Sequence, residues 1–349
     1  MPAKDTDLKR QENMKYYFPD GIPRLWCPLL AHYRDDGSLD IGRMKAHFKF
    51  VSARVKGFLI PGSTGDGWEL SDRETREVVE FALDAVKGSG SRLLLGVLRK
   101  YVSTMMLLIE EIIAGLKEKR GGDIRKALRD AHICGFTVCP PGGGELTQGE
   151  IKTGIADILG LGLPTALYQL PQVVFNEVDP ETFAELAAQF PNLILFKDSS
   201  GEDKIAQSPA DKGGVFLVRG AEGDYAQWLK KTGGPYDGFL LSTCNCFPVE
   251  LSDMIAKIDS GDMEGAGEIS RRLTGAVREV FELVKPLPCG NAFTNANKAM
   301  DHFFAFGQSA KSKQAPLLHG GIRITGDMIS RTGEILAKYS LMPPKGYAE

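Results

Sequence analysis

Eight short apolar runs recur along this chain, most of them followed by a segment whose apolar residues recur at helical spacing, and no other feature constrains the fold as strongly. The runs lie at residues 24–30, 57–60, 92–97, 135–139, 165–168, 193–196, 215–218 and 238–241. Between them, Asp40 precedes Ile41, Met44, Phe48 and Val51. Ser71 with Glu74 and Thr147 with Glu150 have capping-box spacing, Asp123 stands at the head of a short helix, and Asp179-Pro180 opens another with proline at its first position. Leu193 to Phe196 shows no polar alternation, as expected of a strand buried on both faces of a parallel sheet. Strands alternating with helices in this way predict a TIM (β/α)8 barrel. Beyond Pro248 the pattern is helical only, at 251–258, 266–284 and 297–306. The expected organisation is an N-terminal arm over 1–20, a barrel over 21–260 and a C-terminal helical extension over 261–349.

A formal net charge of −3 with both signs interspersed offers no electrostatic footprint for nucleic acid or an anionic membrane, so the expected partner is a small molecule. The six cysteines include no Cys-x-x-Cys and no histidine pair at ligand spacing, which reads as reduced thiols and no metal site. Cys244-Asn245-Cys246 is attributed to alternation at a strand end. His32, His47, His132, His302 and His319 are scattered and suggest no triad. Residues 1–17 are charged, without the apolar core of a secretory signal or anchor, and the expected compartment is the cytoplasm.

Barrel enzymes work at the carboxyl ends of their strands. There the sixth run delivers Lys197 into Asp198-Ser199-Ser200-Gly201. A lysine leaving so apolar a run is partly desolvated, which favours the neutral, nucleophilic amine. The second run ends in Pro61-Gly62-Ser63-Thr64-Gly65-Asp66-Gly67, where glycines admit a ligand to the backbone and amides and hydroxyls can hold a carboxylate or phosphate. The fifth ends in Tyr168, a phenol that can pass protons or pack. Taken singly, each has an ordinary alternative: a surface lysine, a common turn, a packed tyrosine.

Taken together, Gly62-Ser63-Thr64-Gly65, Tyr168-x-x-Pro171 and Phe196-Lys197-Asp198-Ser199-Ser200-Gly201 resemble the dihydrodipicolinate synthase and N-acetylneuraminate lyase family, and Asn245-x-Phe247-Pro248 extends the likeness. The resemblance implies a barrel with a C-terminal helical extension, a class I aldolase without cofactor, and a covalent imine between Lys197 and pyruvate or another 2-keto acid, with an aldehyde as second partner. It further implies a homo-oligomer, tetramer or dimer. Catalytic roles fall to Lys197, Tyr168 and Ser63, and substrate binding to Thr64, Gly62, Gly65, Ser242 and Asn245. Trp68 and Thr243 read as packing, and Asp198 as structural.

Four departures bear on the substrate. Pro171 is followed by Gln172 and Val173, where many dihydrodipicolinate synthases have an arginine for the aldehyde's carboxylate, so lysine biosynthesis is not the expected reaction. Pro140-Pro141-Gly142-Gly143-Gly144 replaces the family's Pro-Tyr-Tyr and shortens the proton relay. Asp66 stands for glutamate and Gln169 for asparagine. The expected activity is cleavage or condensation of a pyruvate-derived 2-keto acid. The alternatives are a 2-keto-3-deoxy sugar acid dehydratase on the same imine and a non-catalytic 2-keto acid binding protein. A phosphate site at Gly220-Ala221-Glu222-Gly223 is disfavoured by its glutamate.

Overall fold

The computed structural model describes residues 2–349, with side chains from Asp5 onward. Eight parallel strands close into a barrel in sequence order: β1 (Leu25–Cys27), β2 (Gly57–Ile60), β3 (Arg92–Gly96), β4 (Ile133–Val138), β5 (Thr165–Gln169), β6 (Leu193–Asp198), β7 (Phe216–Arg219) and β8 (Gly238–Leu240). Each falls on one of the runs read from the sequence, and the C-terminal helices are present. The fold is the expected (β/α)8 barrel. Among the described residues no helix is long and apolar enough to cross a membrane.

The chain divides into two compact units. The first comprises Met1–Arg24, Val86–Ala221 and Pro235–Phe239 and contains β3 to β7. Its strands are buried almost throughout, which explains their uninterrupted apolar character. Asn192, just before β6, donates to the carbonyls of Leu159 (2.9 Å) and Leu163 (2.8 Å) and so ties the entry of β6 to that of β5. Residues 2–17, expected to be an arm, form a helix (Pro2–Tyr17). It lacks an apolar stripe and is anchored instead by Arg10, whose fully buried guanidinium donates to the carbonyls of Ala187, Phe190, Leu193 and Gly213.

The second unit comprises Leu25–Ala85, Glu222–Gly234 and Leu240–Glu349. Asp40 caps the helix Ile41–Ser52 by accepting from the Arg43 amide, and Ser71 and Glu74 make the expected reciprocal pair at the head of Asp72–Ala85. The stretch after β7, expected as one short helix, is two 3-10 turns, Tyr225–Gln227 and Lys230–Thr232. Four helices follow β8: Pro248–Ser260, Met263–Val284, Ala292–Phe306 and Gly326–Lys338. The last was not read from the sequence. Its buried positions, Ile329, Thr332, Gly333 and Leu336, include two that do not register as apolar.

Candidate active site

Strand alternation places Leu195 and Lys197 on one face of β6 and Phe196 and Asp198 on the other. Lys197 is only 3 % exposed and is the Cα partner of Tyr168 on β5 and Val218 on β7. Its Nζ lies 3.9 Å from the centroid of the Tyr168 ring. The two residues expected to act together are therefore in contact, amine over phenol, within the first unit. The lysine has this course because residue 220 is glycine: a Cβ there would stand 2.7 Å from Lys197 Cε and would overlap Ser199 Oγ. In the sequence Gly220 stands out only as part of the disfavoured phosphate loop. Cys139 lies near Lys197; burial pushes its thiol pKa up, against the pull of the lysine, and it stays protonated.

Asp198 carries the structural role expected of it. Its Oδ1 accepts from the Ser200 amide (2.9 Å) and hydroxyl (2.6 Å), and burial raises its pKa. Beside it, Arg219 holds Asp203 through two parallel bonds of 2.9 and 3.0 Å, and the Tyr236 hydroxyl donates to the same carboxylate at 2.6 Å. This buried group pins the ends of β6 and β7 beneath the lysine. Gln169 also has a defined use, since its amide closes on Val178 N and O (2.9 and 3.0 Å). Gln172 donates to the carbonyls of Ser199 and Ser200, and Asn176 to that of Pro141, fixing the loops after β4, β5 and β6.

In the second unit, Ser63–Gly65 form a 3-10 turn directly after β2. Ser63 Oγ accepts from the indole of Trp68 at 2.7 Å, leaving its own O–H to donate elsewhere, so Trp68 does more than pack. Helix Ala292–Phe306 braces the turn: Thr294 donates to the carbonyls of Ser63 and Thr64 (3.2 and 3.1 Å), and Asn291 to that of Ser63. The first amides of such a turn lack acceptors within it, and Thr64 adds a hydroxyl beside them. Gly62 and Gly65 are needed for packing, because a Cβ at Gly62 would meet Pro28 Cβ at 2.8 Å and one at Gly65 would strike the Leu29 carbonyl. Asp66, in the left-handed region at φ 57°, accepts from Tyr33 (2.9 Å) and from buried Lys298 (2.7 Å).

Two expectations change here. Asn245 is fully buried and its amide is saturated, accepting from Leu30 N and donating to the carbonyls of Pro28 and Ser242 at 2.8–2.9 Å. It splices the exit of β1 to the turn after β8 and is a structural residue. Ser242 donates to Glu222 (2.6 Å) and accepts from Asn297 (3.0 Å); Thr243 and Tyr225 also donate to Glu222, a carboxylate whose gathering role the sequence did not reveal. Nor are all the histidines scattered. His32, His47 and Asp301 meet in the interior, where Arg43 (2.7 Å) and Tyr347 (2.8 Å) already hold the carboxylate, making this a buried ion-pair cluster.

Residues 130–296 match the model of the dihydrodipicolinate synthetase family. The 4-hydroxy-tetrahydrodipicolinate synthase of Thermotoga neapolitana is 24% identical over 303 residues, covering 83% of this chain and 95% of its own. That of Lactococcus lactis subsp. cremoris SK11 is 29% identical over 283 residues, with 79% and 88% covered. Among solved structures, YagE of E. coli K12, described as a prophage protein of the dihydrodipicolinic acid synthase family in complex with pyruvate, superposes with a TM-score of 0.71 at 18% identity, covering 92% of this chain and 99% of that one. A monomeric dihydrodipicolinate synthase variant gives 0.71 at 16% identity, with 94% and 99% covered. At these identities the structural likenesses speak to the fold.

Proposed function

This chain is a lyase of the dihydrodipicolinate synthetase family, and from that premise we propose that it is a class I aldolase in which Lys197 forms an imine with a pyruvate-derived 2-keto acid. The observation that carries the proposal is the buried amine of Lys197 against the Tyr168 ring at the end of β6. The neutral amine adds to the ketone carbon, and the hydroxyl so formed takes up a proton from solvent and leaves as water, giving a protonated imine. Tyr168, passing its own phenolic proton into the relay, then takes the proton of the C4 hydroxyl, the C3–C4 bond breaks, the aldehyde departs, and the electron pair moves into the imine to give an enamine. Protonation at C3 and hydrolysis release pyruvate and restore the lysine. Ser63 relays protons with Tyr168, and Thr64 with the amides of the 63–65 turn holds the 2-keto acid's carboxylate; the support is the barrel rule that loops after strands gather at one end.

Gln172 and Val173, standing where a cation would meet a second carboxylate, favour an uncharged tail on the substrate. The same features keep dehydration of a 2-keto-3-deoxy sugar acid as a second reading, in which the imine expels the C4 hydroxyl with no carbon–carbon cleavage. The enzyme on this reading is cytoplasmic, homo-oligomeric and free of cofactor. Product analysis over a panel of 2-keto-3-deoxy sugar acids tests it. Pyruvate plus an aldehyde establishes the aldolase, a retained carbon skeleton establishes the dehydratase, and turnover that survives Lys197→Ala overturns both.

A further inference from the structure

Within the second unit a cavity of about 280 Å³ opens between residues 32–43, the C-terminal half of helix Ala292–Phe306 and residues 313–323. At the volume share of liquid water it has room for about nine water molecules, the size of a four-carbon acid. Its walls present polar groups whose hydrogen-bonding roles are set from behind. His47 Nε2 donates to the Asn245 carbonyl at 2.9 Å, so its Nδ1 must accept; His32 Nε2 therefore donates to it at 3.0 Å, and His32 Nδ1 remains a lone pair. His302 Nε2 donates to the Ala310 carbonyl at 2.8 Å, which likewise leaves Nδ1 as an acceptor. Burial lowers the pKa of both imidazoles and keeps them neutral.

The cationic groups are left partly unused. Lys298, 1 % exposed, gives one N–H to Asp66 and faces the Tyr33 ring at 4.5 Å, keeping a further donor. Arg43 commits Nε to Tyr347 and Nη2 to Asp301, leaving Nη1. The carboxylates nearby are engaged: Asp301 by Arg43, Asp66 by Lys298, Asp35 by Arg323, and Asp40 by the helix amide it caps. Lys313 stands at the rim, its ammonium 5.8 Å from the Phe306 ring and with no carboxylate partner among the described residues.

We infer that this cavity is a second binding site, for a small hydroxycarboxylate anion. Its carboxylate meets Lys313, Lys298 and Arg43 Nη1, its hydroxyls donate to the two imidazole lone pairs, and its carbons lie on Phe306. The inference goes beyond the Lys197 chemistry and does not depend on it. Through Lys298 and Asp66, occupancy is linked to the turn that carries Thr64.

Calorimetric titration of the full chain with D-erythronate tests this, with butyrate and erythritol as ligands lacking the hydroxyls or the carboxylate. One saturable site of millimolar affinity or tighter is expected, weakened about tenfold in Lys313→Gln, as befits the loss of one charge-assisted contact, and by at least that much for either control ligand. Lys298→Met should abolish binding; because it strands Asp66 and can compromise folding, the exposed Lys313→Gln decides the matter. Binding should be unchanged in Lys197→Ala. Absence of saturable heat, binding unaffected by Lys313→Gln, or binding lost in Lys197→Ala would each overturn the inference.

Discussion

Gly220 decides whether Lys197 can occupy its place, because any side chain there intrudes on the lysine's Cε and on Ser199. Gly220→Ala should leave the barrel folded, with a melting temperature near that of the parent, yet slow imine trapping with pyruvate about a hundredfold, the usual cost of displacing a reacting group by roughly 1 Å. Trapping at the parental rate would show that the lysine does not need this space. Tyr168→Phe separates the two residues differently: the adduct should still form, while kcat for cleavage falls by at least about a hundredfold, since only the proton transfer is lost. A variant retaining full kcat would remove Tyr168 from the mechanism. That Lys197 and Tyr168 stand at strand ends was legible in the sequence because each closes an apolar run, a local signal. Asn245 was misassigned for the opposite reason: its partners Leu30 and Pro28 lie 215 and 217 residues earlier, and no local pattern distinguishes an asparagine that splices two loops from one that meets a ligand.

Among the elements, the N-terminal helix shows where periodicity stops being informative. Amphipathicity marks helices that bury an apolar stripe, whereas Pro2–Tyr17 is held by one guanidinium on four carbonyls. Arg10→Leu should cost about 3 kcal/mol in urea denaturation, the effect of leaving buried carbonyls unpaired; a loss below about 1 kcal/mol would mean that the helix contributes little to stability. The helices Ile41–Ser52 and Ala292–Phe306 carry His47 and His302, and His32 lies in the segment before the first of them. All three imidazoles are pushed below the ordinary value by burial. Below about pH 6.5 the unfolded chain therefore binds more protons than the native one, so stability should be level from pH 7 to 8 and fall as the pH drops below that value. Asp198, Glu69 and Glu250, raised by burial, act with the opposite sign at lower pH, so comparison of the parent with His302→Gln isolates the histidine contribution. The variant's urea midpoint should fall less steeply between pH 7 and 5.5; an equal slope would contradict the assignment.

At the scale of the whole molecule, the closed eight-stranded barrel was legible because eight apolar runs recur, most of them followed by a helix, and each unit supports the next. The helix Gly326–Lys338 was not, since it buries Thr332 and Gly333 where an apolar face would announce itself. The cluster around Asp301 and the cavity beside it were equally hidden, being assembled from segments near residues 32, 43 and 301 that share no motif. The proposed chemistry rests on one covalent bond, between Lys197 and the 2-keto acid. Incubation of the full chain with pyruvate and borohydride, followed by intact mass and peptide mapping beside Lys197→Ala, measures it directly. A single pyruvyl adduct on Lys197, absent from the variant, is the predicted result; no adduct with pyruvate or longer 2-keto acids, or an adduct on another lysine, would contradict it.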